Sequence, residues 1–151
     1  MGYTYAVLYS NKYRKEYAEF LKINYPRIPY PTDLDRFMAL ATLGKKLIDL
    51  HLLRFTVDNC TVTFFGGIKN VVENPRHSQD RVYINRSEYF DGVTEEYWNK
   101  MVGGYAPLQK WLKLRKGKVL SVSDIETYCK TAYALEATDR VMAEIDQLFE
   151  I

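Results

Sequence analysis

The feature that most limits the possible folds is a long helical pattern at the C-terminal end of the sequence. Ser123-Asp124-Ile125-Glu126 matches the S-x-x-E capping box. Ile125, Tyr128, Cys129, Ala132, Leu135, Met142, Ile145 and Phe149 then keep helical spacing down one face. At ~1.5 Å per residue such a helix spans roughly 39 Å. An apolar stripe of that length must be covered, so the rest of the chain has to supply packing partners along it. With 151 residues, 47% of them hydrophobic and 26% charged, the chain holds one domain's worth of core.

The N-terminal third supplies helices. Residues 3–9 and 11–22 read as two helices broken at Ser10-Asn11, with Ser10 as N-cap and Tyr13, Tyr17, Phe20 and Leu21 as an apolar stripe. Pro26, Pro29 and Pro31 force an extended connector, within which Arg27 suits a structural ion pair. Thr32 with Asp35 forms a near capping box for a helix over about 33–53. Leu34, Phe37, Met38, Ala41, Ile48 and Leu52 make one stripe of that helix, and Leu40, Leu43, Leu47 and Leu50 a second, which predicts burial between layers. His51 near its end reads as a packed or capping histidine.

After Leu53 the period changes to two. Strands are predicted at 60–65, stopped by Gly66-Gly67, at 81–85, and in a short third piece at 88–90. The loop from Ile68 to Asp80 and its border carry Lys69, Asn70, Arg76, His77, Gln79 and Arg81. These are side chains of the kind that read base edges, arginine suiting guanine and amides suiting adenine; the plain alternative is a polar hairpin loop. Residues 94–102 are ambiguous: Thr94-Glu95-Glu96 could cap a short helix, while the alternation of Tyr97, Asn99 and Met101 before Gly103-Gly104 favours the strand expected here. The fold class is therefore α+β, with N-terminal helices and a long C-terminal helix packed around a small, mainly antiparallel sheet. The chain is expected to be a single domain, helical over 1–53, a small sheet over 54–104, and a basic helix plus the long helix over 105–151.

The segment 103–118 joins sheet to long helix and has two faces. Two glycines allow a tight corner, and Pro107 suits the first position of a helix predicted at about 106–115. Leu108, Trp111 and Leu112 share one face, while Lys110, Lys113, Arg115, Lys116 and Lys118 carry positive charge with no acid among them. Such a helix either docks with a solvated basic face or sets its cations against phosphates, with Lys100 nearby. A short strand or turn follows at 118–120. From Ser123 on there are seven acids against two bases, leaving 19 bases against 12 acids in the remaining chain. A basic face is thus permitted, although a net charge of +2 speaks against a free-standing, high-affinity nucleic-acid binder.

Catalytic patterns are not found. The sequence has no GxxxxGK[ST] phosphate loop and no Asn/Asp-Pro-Pro-aromatic tetrapeptide; Asn74-Pro75-Arg76-His77 departs at its third and fourth residues. The acids Asp91, Glu95, Glu96, Asp124 and Glu126 sit where turns and caps explain them. Cys60 and Cys129 lack CxxC spacing and read as buried, reduced thiols, and two distant histidines give no metal site. No signal segment or long apolar run is present, so a cytoplasmic location without membrane is expected.

In combination, several blocks resemble a known family. They are Tyr5-Ala6-Val7-Leu8-Tyr9-Ser10 with Tyr13 to Lys22, Asn24 to Pro31, Gly103 to Lys118, and Ala134 to Asp146. Together they resemble the C-terminal specificity (target-recognition) region of bacterial type ISP restriction-modification enzymes, which are large adenine DNA methyltransferases. The match runs over nearly the whole chain and is most divergent at about 55–80. The resemblance implies a fragment of a larger multidomain enzyme, itself non-catalytic, with double-stranded DNA and the methyltransferase domain of the same chain as partners. It also implies that S-adenosylmethionine, ATP and Mg²⁺ serve the parent enzyme, with no cofactor in this fragment. Lys100, Lys110, Lys113, Arg115 and Lys116 would then hold phosphates, and the 68–80 loop would read bases. The competing expectation is an interaction module that docks on the methyltransferase or another partner without reading bases.

Overall fold

The structure, a computed structural model, describes residues 1–149. Its elements run α1 (Gly2–Tyr9), α2 (Asn11–Glu16), α3 (Ala18–Leu21), α4 (Leu34–His51), a 3-10 turn (Val57–Asn59), β1 (Thr63–Phe65), β2 (Arg76–Ser78), β3 (Arg81–Tyr83), β4 (Tyr89–Asp91), α5 (Glu95–Trp98), α6 (Pro107–Lys113) and α7 (Val122–Leu148). The α+β class read from the sequence holds: helices at both ends and a four-stranded antiparallel sheet. The chain forms two compact units. One is Met1–Arg54 with the segment from Ala137 onward; the other is Phe55–Glu136.

The first unit is built on a close helix crossing. A Cβ added to Gly44 of α4 would overlap the carbonyl of Gly2, and one added to Gly2 would overlap the carbonyl of Ala41. Ala6 and Val7 of α1 and Leu40, Leu47 and Leu50 of α4 are buried, as are Ala137, Val141, Ile145 and Phe149. Ser10 caps α2 as expected, accepting from the Tyr13 N–H (3.2 Å), while its hydroxyl donates to Asp146 (2.8 Å). Asp146 also accepts from the Asn11 side chain (3.0 Å) and the Lys12 N–H (3.3 Å). The proline-rich connector is tied down at its carbonyls: Tyr13 donates to Arg27 (2.8 Å) and Tyr3 to Pro29 (3.0 Å). His51 is a packed histidine, bonded to the Tyr5 hydroxyl (2.7 Å) and to Thr138 (3.0 Å); burial lowers its pKa.

In the second unit the strands lie in the order β1-β4-β3-β2. The pairing places Phe64, Phe90, Val82 and His77 in one cross-strand row facing the core. That core includes Val62, Val72, Ile84, Leu108, Leu112 and Leu120, with Tyr128, Cys129 and Ala132 from α7. Tyr128 is its centre, its ring 4.3 Å from Phe90 and 5.2 Å from Trp111, and its hydroxyl donates to the Leu108 carbonyl (3.3 Å). Cys129 is buried and its thiol is pushed up to about 12 by that burial; Cys60 is half-buried, and both are free thiols.

Several sequence expectations are corrected. Residues 95–98 are helix, closed by the Trp98 N–H donating to the Thr94 carbonyl (3.0 Å); the expected strand is reduced to a bridge between Val102 and Tyr105. The alternation misled because Tyr97 and the adjacent Trp98 are both half-buried, which a strand cannot do on one face. The predicted loop 68–80 contains strand β2. The cap of α4 is Asp33, accepting from the Arg36 N–H (3.0 Å), not Thr32. The box starting α7 is two residues earlier, with Ser121 and Asp124 exchanging bonds of 3.1 and 2.9 Å. In α4 only the Leu40–Leu47–Leu50 stripe is buried, whereas Leu34, Met38 and Leu52 are exposed.

The close crossing makes a test. Alanine ordinarily improves a helix over glycine by about 1 kcal/mol. Gly44→Ala is instead expected to destabilise the protein by about 1–3 kcal/mol through overpacking, read as a lower midpoint in urea with unchanged slope.

Candidate nucleic-acid interface

The basic segment is anchored as its sequence suggests. Gly103 and Gly104 turn the chain at φ values of 60° and 91°, and Pro107 opens α6. Leu108 and Leu112 are fully buried, and Gln109 ties α6 to the end of α5 by donating to the Trp98 carbonyl (3.0 Å) and Asn99 (2.9 Å). The cations divide into two kinds. Arg115 lies over the Trp111 ring (3.6 Å to the centroid), donates to its carbonyl (3.2 Å) and stands 3.9 Å from Asp124. Lys110 covers Tyr105 (4.0 Å), and Lys100 lies half-buried by Tyr97 (6.0 Å). Lys113 and Lys116 are exposed and in no ion pair among the described residues.

Beside this segment sits a loop organised around one carboxylate. Glu88 is only 3% exposed. Its oxygens accept from the backbone N–H groups of Gly67 (3.0 Å), Ile68 (3.1 Å), Lys69 (3.4 Å) and Asn70 (2.8 Å). The Asn85 side chain adds a fifth bond at 2.7 Å, and its oxygen accepts from the N–H groups of Ser87 (3.1 Å) and Glu88 (2.8 Å). Successive N–H groups converging on an anion form the arrangement that other proteins use to bind phosphate; here a residue of the chain fills it. Burial alone would raise the pKa of Glu88, but the hydrogen bonds from Asn85, Asn70, Ile68 and Gly67 outweigh it and hold the group below its ordinary value.

The loop continues into the basic segment through the backbone. Val71 bridges Val119; Val72 donates to Lys118 (3.0 Å), Gly117 to Val72 (2.7 Å) and Leu120 to Asn70 (2.7 Å). Gly117 takes φ 82° to allow this. Exposed Lys69, Lys116 and Lys118 therefore lie on one hydrogen-bonded piece of backbone.

The six residues expected to read bases do not form one surface. Asn70 turns inward at φ 54°, its side chain accepting from the Gly67 N–H (2.9 Å). His77 faces the core, donating from Nε2 to the Val93 carbonyl (2.7 Å). Lys69 is on the Glu88-held loop. Gln79 lies, with Asp80, in a two-residue turn whose φ values of 52° and 55° fit the type I′ hairpin. Arg76 and Arg81 stand on the outer face of the sheet. There Phe65, Tyr89, Tyr83 and Arg76 form one cross-strand row. Sequence reasoning missed Glu88, Asn85 and these aromatics. Alternation marks Phe65, Tyr83 and Tyr89 as lying opposite the core-facing Phe64, Val82 and Phe90, but no local signal marks Glu88.

Glu88→Gln keeps the shape and removes the charge. It is expected to cost about 1.5–3 kcal/mol and to speed amide exchange at residues 67–70. Because the folded pKa is lowered, the stabilisation is present above the ordinary glutamate range and is lost as pH falls through the lowered value. Amide exchange measured across that range should show protection fading in wild type and unchanged by pH in the variant.

Residues 1–144 match the family model described as the Type ISP C-terminal specificity domain. Solved structures share the fold. A nuclease-deletion mutant of the Type ISP restriction-modification enzyme LlaGI, in complex with a DNA substrate mimic, is 22% identical with a TM-score of 0.61, over 98% of this chain and 13% of that one. The ATP-dependent Type ISP enzyme LlaBIII, bound to DNA, is 19% identical with a TM-score of 0.62, over 100% and 11%. The DrdV–DNA complex is 17% identical with a TM-score of 0.59, over 99% and 17%. The chain thus spans less than a fifth of the length of each of these proteins. None of the curated protein sequences matches it. The chain belongs to the family of Type ISP C-terminal specificity domains.

Proposed function

We propose that this chain is the target-recognition module of a restriction-modification enzyme, a DNA adenine methyltransferase, and that it reads double-stranded DNA without doing chemistry itself. The observation that carries this reading is the exposed set Lys69, Lys116 and Lys118 on one hydrogen-bonded piece of backbone, with exposed Lys113 at the end of α6 beside it and none of the four in an ion pair among the described residues. Lys110 flanks it, while Lys100 and Arg115 are more constrained contributors. The solved structures of similar fold that hold DNA support it. In this reading the lysines neutralise phosphates and fix register, and the sheet presents the side chains that choose sequence. S-adenosylmethionine, ATP and Mg²⁺ belong to the remainder of such an enzyme.

A second role is favoured by the first unit. Ile23, Tyr25, Tyr30, Leu34 and Met38 are all more than half exposed along one short stretch of sequence. That density of apolar side chains suits docking on the methyltransferase part of the same chain.

Fluorescence anisotropy with mixed-sequence duplex DNA across a salt series separates the two. Affinity is expected to fall steeply with salt, and Lys110→Glu with Lys113→Glu to weaken all sequences alike. Each lost phosphate contact should reduce the log–log slope by about 0.9. Absence of binding even at low salt would reject DNA reading by this chain and leave docking as its role.

A further inference from the structure

The outer face of the sheet carries a device that the lysine set does not explain. Phe65 stacks on Tyr89 (5.1 Å between centroids, 19° between planes), and Tyr89 meets Tyr83 (5.0 Å). Two guanidinium groups lie over these rings, Arg76 at 4.1 Å from Tyr83 and Arg81 at 4.4 Å from Tyr89. The two arginines differ in one respect. Arg81 spends its Nε–H on Asp91 (2.8 Å), the residue directly opposite it in the register. Arg76 is exposed and sits on the edge strand β2, and its side chain makes no hydrogen bond or ion pair among the described residues.

Stacking uses the face of a guanidinium and leaves its N–H groups, which lie in its plane, available. A lysine, or an arginine free to swing, suffices to neutralise a phosphate. An arginine held over a ring, with its N–H groups left free, is suited to a partner with two acceptors in one plane, namely the O6 and N7 atoms of guanine in the major groove. The hairpin of β2 and β3 lies at the sheet edge and ends in the tight Gln79–Asp80 turn, and a two-stranded ribbon is an element that groove admits.

We propose that Arg76 is a specificity-determining residue that reads a guanine, and that Tyr83, braced by Tyr89 and Phe65, is its positioning residue. This rests on the DNA-reading function proposed above and narrows it: of six candidate base-reading residues, the one stacked and unpaired on the outer face sets a G·C preference.

The test is selection from a randomised duplex library by wild type, Arg76→Ala, Arg76→Lys, Tyr83→Leu and Tyr83→Phe, followed by affinity measurements on the selected site. Wild type is expected to select a site with a required G·C pair. Both Arg76 variants should lose about 10- to 100-fold in discrimination at that pair while keeping the other positions. Tyr83→Leu should relax the same position and Tyr83→Phe should preserve it. If Tyr83→Leu fails to fold, the surface variants at Arg76 decide alone. Uniform loss of affinity in Arg76→Ala, restored in Arg76→Lys, would make Arg76 a phosphate contact and overturn the proposal. So would an unchanged site preference, or binding by wild type without any preference. Wild type that binds no DNA at low salt would instead remove the underlying function, and this assignment with it.

Discussion

The carboxylate of Glu88 gathers four consecutive backbone N–H groups and the Asn85 amide into the interior of the second unit. Donors turned inward without a partner cost about 1–3 kcal/mol each, so the loop 66–70 holds this shape only while an acceptor is there to meet it. The same loop supplies Asn70 and Val72 to the pairing with Gly117, Lys118 and Leu120. One buried acid therefore fixes the backbone that carries Lys69 and steadies the turn that follows α6. A negative charge inside the fold orders a positive surface outside it.

Much of this architecture was legible in the residues. The break at Ser10, the extended proline connector, the helices α4 and α6 and the long α7 all follow from periodicity and capping, which act within one or two turns of chain. The strands were harder because each has three residues, too few for alternation to set a boundary. Helix α5 was missed because four residues between glycine-rich turns carry no full helical period. At the candidate interface, Lys113 could be read as exposed from the helical wheel, and Lys116 from its place beside Gly117 after the helix. The inward turn of Asn70 and His77 could not, since their partners Gly67 and Val93 are set by loop geometry and sheet packing. Glu88 shows the limit most clearly: its meaning lies in donors some twenty positions away.

Aromatic side chains divide the labour among the cations. Trp111 and Asp124 flank Arg115, and Tyr83 lies under Arg76, whereas Lys113 and Lys116 are exposed with no ring or acid beside them among the described residues. Mobile charge tolerates variation in backbone position; held charge does not. In the DNA-reading proposal the first kind suits phosphates and the second a base edge.

The first unit is made from both ends of the sequence, since Ser10 meets Asp146 across 136 positions while Phe55–Glu136 is continuous. During synthesis the second unit has all its residues once position 136 has left the ribosome. The capped start of α2 must wait for Asp146 to be made. Until then the Ser10 hydroxyl and the Lys12 N–H lack the carboxylate they bond, so the joint between α1 and α2 is completed only by the C-terminal part of α7.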